Sequence, residues 1–268
     1  MKWPEHLSPT QINMLTKCPM QWYLRYVEGL KIPPGIALVL GKSFHEAKAF
    51  NGGQKVSSCE DLPFNVVVDY FSSQFDKNIA MGIMWNPEEI ERGREKVQGE
   101  NKDSGCSVTK LYMTELSPQT QPITVETELS IKFEGDFPEI KCILDEISYE
   151  RTDTEKTKCI RETKTTGKTP NQDTADTSLQ LTTYNIAYQQ ENKHEPRLFY
   201  DALVKTKTPK VVTLPTTRGE QQTRQFLERV MACLKLIKHD VYMPTPPESW
   251  WCSARFCGYF GDQCKYTR

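Results

Sequence analysis

The chain has no apolar run near the roughly 20 residues that a membrane-crossing helix needs, and its opening residues, MKWPEHLSPTQ, hold no apolar stretch of the secretory kind. The expectation is a soluble, intracellular protein, cytoplasmic or, in a eukaryotic or viral setting, nuclear or organellar, with no membrane partner. Charge of one sign is missing too. Thirty-four basic residues face 35 acidic ones, for a net charge of −1, which excludes a uniformly basic coat. Any hold on nucleic acid must come from a local basic groove, because phosphate contacts supply most of the affinity. Fourteen Gly and 17 Pro are too few for collagen-like or low-complexity chains.

What is present points to a buried core. Five Trp, 11 Tyr and 11 Phe in 268 residues exclude a disordered tail. The length suits one large domain. The nine cysteines make an odd count, and in a reducing compartment metal ligation is a better question than disulfides.

Ser8 followed by Pro9 reads as a helix start, with Ile12 and Leu15 on the apolar face. Pro19 ends that helix and opens another over residues 20–27. GKSFHEAKAF reads as a further helix start, and 61–78 and 87–116 look helical, the second broken at 99–105. From 124 to 133 polar and apolar residues alternate with period two, a strand. Strands follow at 139–149 and 157–165, a helix at 176–192, strands at 197–205 and 210–214, and a helix at 219–239. The fold expected is α/β: a central mixed sheet flanked by helices, with a helical N-terminal elaboration. The division expected is one domain, 1–268, with a helical part over about 1–120, an α/β core over about 121–240 and a cysteine segment over 241–268.

Three residues carry a definite chemistry. Asp145 lies in KCILDEISY among apolar neighbours. Glu162 and Lys164 lie in CIRETKTTGK on the next strand, two apart and so on one face. Two carboxylates and a lysine at one sheet edge suit a hard cation that keeps several waters, polarises a phosphodiester and delivers water, while the lysine steadies developing charge. A lone Glu-x-Lys is ordinary surface charge; the constellation is what matters. His45 is a candidate imidazole ligand at a helix N-terminus, Glu126 a candidate outer carboxylate. Gln180 and Tyr184, i and i+4, share a helix face.

The cysteines divide. Cys252, Cys257 and Cys264 cluster in WWCSARFCGYFGDQC, and Cys18 stands alone near the other end. Four thiolates suit tetrahedral Zn²⁺ or a cubane cluster. Cys59, Cys106, Cys142, Cys159 and Cys233 have no spacing signal and read as buried small apolar residues. Lys164, Lys168, Lys205, Lys207, Lys210 and Arg218 are candidates for a groove along a nucleic-acid backbone. Trp22, Tyr23 and Phe44 are candidates for stacking on bases.

In order and spacing, His45, Asp145, Glu162 with Lys164, and Gln180 with Tyr184 resemble the RecB-type nucleases of the PD-(D/E)XK superfamily. The resemblance runs from about Leu7 to Cys264. Lys141–Leu144 depart from it, since a glycine commonly stands close before the aspartate. The resemblance implies a restriction-endonuclease-like fold and a catalytic set of Asp145, Glu162, Lys164, Gln180 and Tyr184. It also implies Mg²⁺ or Mn²⁺ on His45, Asp145, Glu162 and the Thr163 backbone. LSPTQINMLTKCPMQWYLRY and WWCSARFCGYFGDQC are similar to the ends of an iron–sulfur subset that includes AddB subunits, CRISPR-adaptation nucleases and phage exonucleases. There one early and three late cysteines hold a [4Fe-4S] cluster, here Cys18, Cys252, Cys257 and Cys264, with Zn²⁺ the alternative. The activity implied is metal-dependent DNA hydrolysis, most simply an exonuclease on single strands or free ends. A non-catalytic DNA-binding or assembly module on the same fold is the competing expectation.

Overall fold

The computed structural model describes residues 3–151, 156–261 and 263–267. Its centre is a mixed six-stranded sheet: β1 (His6–Leu7), β2 (Thr120–Ile131), β3 (Glu139–Glu150), β4 (Cys159–Thr166), β5 (Arg197–Val204) and β6 (Lys210–Thr216). β2 runs antiparallel along nearly the whole of β3. The opposite edge of β3 is shared. β1 pairs with it in parallel at Glu139 and Ile140, and β4 pairs with it antiparallel only from Glu146 to Ser148. Residues 141–145 are thus left without a strand partner on that edge. β4 and β5 are parallel over eight residues, and β5 and β6 form an antiparallel pair.

Helices cover both faces. On one side lie α1 (Pro9–Lys17), α2 (Pro19–Tyr26), α8 (Leu179–Asn192) and α9 (Glu220–Lys238). Their apolar residues, including Ile12, Trp22, Leu181 and Val230, close over Ile140, Leu144 and Ile160. On the other lie α3 (Ile36–Ser58), α4 (Phe64–Ala80) and α6 (Arg94–Leu111), with a short α5 (Pro87–Arg92) leading in. Phe44, Phe71, Phe75 and Val108 form that second core and reach the sheet at Leu203. The α/β class with a central mixed sheet is as expected from sequence.

Several local expectations are corrected. Gly99 and Gly105 do not break α6. Gly105 sits against Phe71, where a Cβ would meet Cζ at 1.9 Å, so its lack of a side chain serves close packing of α6 on α4. The break falls earlier, at Gly93 with φ +90°. The helix bearing GKSFHEAKAF starts at Ile36, so His45 lies in its interior and not at its N-terminus. The 176–192 helix is two, α7 (Gln172–Asp176) and α8, because the Ser178 hydroxyl caps the second by accepting from Leu181 N–H. Trp22 and Phe44 are buried and cannot stack on bases. Cys59 is exposed, whereas Cys142, Cys159 and Cys233 are buried.

The chain ends meet. Cys18, Cys252, Cys257 and Cys264 line one pocket with Leu24, Trp251 and Tyr259. Thr245 N–H donates to Cys18 Sγ at 3.4 Å, and Tyr259 Oη donates to Leu30 O at 2.6 Å. Gly258 lies so close to Ile32 that a Cβ would meet its Cγ2 at 2.4 Å.

Candidate active site

The unpaired stretch of β3 is where the chemistry collects. Backbone groups freed from a ladder need other partners, and here functional side chains supply them. Thr163 N–H donates to Asp145 Oδ2 at 2.8 Å, and Tyr184 Oη donates to Ile143 O at 2.7 Å. The gap in strand pairing therefore fixes the carboxylate of Asp145 and is itself braced from α8.

His45 Nδ1 lies 3.5 Å from Asp145 Oδ2, brought there by α3. The backbone of Thr163 also hydrogen-bonds the His45 ring. Burial lowers the His45 pKa more than Asp145 raises it, so at neutral pH the imidazole is uncharged and free to act as a ligand. One ligand atom from each of His45, Glu126 and Asp145 lies within 4.8 Å of the others, a grouping that could hold a cation.

Glu162 is fully buried. Burial pushes its carboxyl up to about 7, and the negative charge of Asp145 adds to this. Neither of its oxygens has a hydrogen-bond partner of regular geometry, and its close charged contact is the Lys164 amine. A buried carboxylate faced by the Lys164 amine and the Tyr184 hydroxyl, with its pKa pushed up, can take a cation as a further partner. Lys164 Nζ also donates to Gln180 Oε1 at 3.1 Å, and Gln180 Nε2 donates to the Tyr184 hydroxyl. Tyr184 is buried, with its hydroxyl towards the Glu162 carboxylate and Ile143 O, and braces the segment before Asp145.

Asp145, Glu162, Lys164, His45, Thr163 and Gln180 are thus gathered in one notch. Lys168, Lys205, Lys207 and Lys210 are placed apart from it, around the ends of β4 and β5. Lys205 N–H donates to Thr166 O at 2.8 Å, so the two loops lie side by side. Lys168, Lys207 and Lys210 are exposed and Lys205 half-buried. Arg218 does not belong with them. It is buried, donating to Thr182 Oγ1 and Thr216 Oγ1 at 2.7 Å and to the carbonyls of Ala175 and Thr217, and pins α7 and α8 to β6.

Two features escaped the sequence reading. Lys48 and Glu146 form a buried ion pair at 3.3 Å behind the notch. Burial alone would favour discharging Lys48, but Glu146 and Asp145 outweigh it and raise its pKa. Arg161 Nη1 donates to both carboxylate oxygens of buried Asp201, at 2.9 and 3.1 Å. The available signal was Lys48 three residues after His45 on the same helix, and charged residues among inward-facing strand positions.

A neutral imidazole, an anchored aspartate, a buried glutamate and a lysine around a sheet gap define a hydrolytic site suited to phosphodiesters. The family model of the PD-(D/E)XK nuclease superfamily matches residues 6–266. The chain belongs to that superfamily and is a nuclease. Among solved structures, it is similar to a candidate exonuclease from Eubacterium rectale, at 11% identity and a TM-score of 0.55, with 92% of this chain and 87% of that chain covered. That likeness concerns the fold. A second structure, SSO0001, aligns at 11% identity and a TM-score of 0.40 over 98% of this chain and 89% of that one, too loosely to bear on the argument. No curated protein matches the chain.

Proposed function

We infer that the protein is a cation-dependent deoxyribonuclease of the RecB-like type, acting as an exonuclease on single strands or free ends. The observation that carries the reading is the gap in the pairing of β3, where Asp145, buried Glu162 and Lys164 converge. His45, Asp145, Glu162 and the Thr163 carbonyl would hold Mg²⁺ or Mn²⁺, which when bound supplies Lewis acidity and an activated water. Lys164 is held by Gln180 and meets the negative charge that grows on the phosphoryl oxygens. Gln180 orients Lys164, and Tyr184 holds Ile143 and through it Asp145. Lys168, Lys205, Lys207 and Lys210, at the ends of parallel β4 and β5, would track the phosphate backbone. Preference for ends is supported by the sequence resemblance and by the name of the structural neighbour.

Cys18, Cys252, Cys257 and Cys264 are assigned to a [4Fe-4S] cluster. The sequence resemblance supports it, and all four thiols line one pocket; Zn²⁺ on the same four thiolates is the alternative.

The test is cleavage of DNA labelled at both ends, single- and double-stranded, with Mg²⁺ or Mn²⁺ and with excess EDTA. Cleavage that persists in EDTA overturns the cation reading, and products from internal cuts alone overturn the exonuclease reading. Protein prepared without oxygen should contain about four irons per chain; stoichiometric zinc without iron overturns the cluster.

A further inference from the structure

We propose that Glu126 is a protein ligand of the active-site cation, delivered by a left-handed residue in the middle of β2. The proposal rests on the cation reading above and adds a residue that the ordered motif does not contain. Glu126 has φ +51°, a conformation that side chains with a Cβ avoid. It stands where the pairing of β2 with β3 skips one residue on each strand. Val125 faces Glu146 and Thr127 faces Leu144, while Glu126 and Asp145 between them are not paired. The strand thus departs from regular geometry opposite the aspartate.

The neighbours explain how the carboxylate is aimed. Thr127 Oγ1 donates to Thr124 Oγ1 at 2.7 Å, closing the backbone around the left-handed residue. Val125 nests against Gly52 of α3, where a Cβ would meet Val125 Cγ1 at 2.8 Å. Gly52 lies two helical turns after His45, on the same face of α3. One close helix–strand contact therefore sets the distance between the imidazole and the turned residue. The result is a Glu126 oxygen within 4.8 Å of ligand atoms of both His45 and Asp145.

Ordinary surface charge does not account for this placement. Glu128, two residues on, takes Lys141 as a partner at 3.6 Å. The lysine whose charge reaches Glu126 is Lys48, and that amine is held by Glu146. Glu126 is left facing Asp145, like charge against like. A cation between them converts that repulsion into ligation.

Calorimetric titration of the full chain with Mn²⁺ alone tests it, on wild type, Glu126→Gln, Glu126→Gly and Asp145→Ala. Loss of even an outer partner of a metal ligand typically costs ~10–100-fold in affinity, and loss of a ligand costs at least as much. Glu126→Gln should therefore weaken Mn²⁺ at least about tenfold, with the metal-free thermal midpoint unchanged. Glu126→Gly should weaken Mn²⁺ equally while the midpoint holds or rises by up to about 3 °C, because glycine accepts the left-handed backbone. Wild-type affinity in Glu126→Gln, with affinity lost in Asp145→Ala, overturns the role of Glu126 and leaves the cation reading standing. Wild-type affinity in Asp145→Ala overturns the cation reading and this proposal with it. A midpoint several degrees lower in Glu126→Gly overturns the left-handed delivery.

Discussion

The acidic notch and the cysteine lobe lie in the same molecule but are supported in opposite ways. The notch draws on α3, β2, β3, β4 and α8, each packed into one of two large apolar clusters. The lobe, after α9, contains turns and bends only among its described residues. Its own core is Leu24, Tyr259 and Cys264, with Met20, Tyr23, Ile32 and Cys257 against it. So small a core cannot hold some 25 residues of irregular chain against their conformational entropy. The lesson is that the notch is built to keep its shape without its ligands, whereas the lobe, on the proposed cluster reading, would depend on the group that joins its thiols.

That contrast is open to direct attack. The largest effect is expected from Asp145→Ala, which should abolish DNA cleavage while the thermal midpoint of the metal-free protein, followed by circular dichroism, stays within a few degrees. Parallel loss of fold and activity would place the notch in the same fragile class as the lobe. Lys164→Ala should slow single-turnover cleavage ~10²–10³-fold yet bind Mn²⁺ nearly as wild type, since a protonated lysine is no ligand. Glu162→Ala should lose Mn²⁺ affinity as well. A Lys164→Ala enzyme at the wild-type rate would remove this strand from the chemistry.

Smaller in rate but larger in structure is the response of the lobe. Cys257→Ala should expose residues 240–267 to limited proteolysis and release iron. Cys233→Ala, a change in the main core between α9 and Ile12, should leave both unchanged and lower stability by about 1 kcal/mol. Equal behaviour of the two variants would erase the distinction.

The subtlest effect is the pH dependence of the metal-free protein. The unfolded chain releases the Glu162 proton near the ordinary carboxylate range, but burial pushes the folded group up to about 7. A pKa raised on folding gives stability that is full below the unfolded value and is lost as pH rises through the folded one. The melting temperature of the metal-free chain should thus fall between pH 5 and 7.5, and Glu162→Gln should flatten that fall. A wild-type midpoint that does not fall over this range would mean the carboxyl is already ionised.

The parts of this design that could be read from sequence are those with a period or an order. The alternation over 124–133 and the triplet Glu162-Thr163-Lys164 sit on strands as read, because side-chain direction in a strand follows from the period alone. The misread elements depended on contacts distant in sequence. The opening of α3 at Ile36 was hidden because Gly41 resembles a start signal, although it lies inside the helix, where an added Cβ would meet Thr165 Oγ1 only at 3.8 Å. Gly105 looked like a breaker because Phe71, 34 positions earlier, is invisible to local reading. Arg218 looked like a surface cation because the acceptors that bury it come from three separate segments. The contact of Tyr184 with Ile143 O was hidden because the gap it fills on β3 exists only once β1 and β4 have divided that edge between them.

That divided edge has a consequence for how the chain can vary in length. β1 and β4 grip the same strand at fixed residues, Ile140 and Glu146, so the five residues between them, about 17 Å of extended chain, act as a gauge block. One residue added or removed there would both reset the opening and turn Asp145 to the opposite face. The same change in the 132–138 loop, a few residues upstream, would alter neither. Length variation in this molecule is therefore expected to be silent in the hairpin loop and lethal to cleavage in the short segment that follows it.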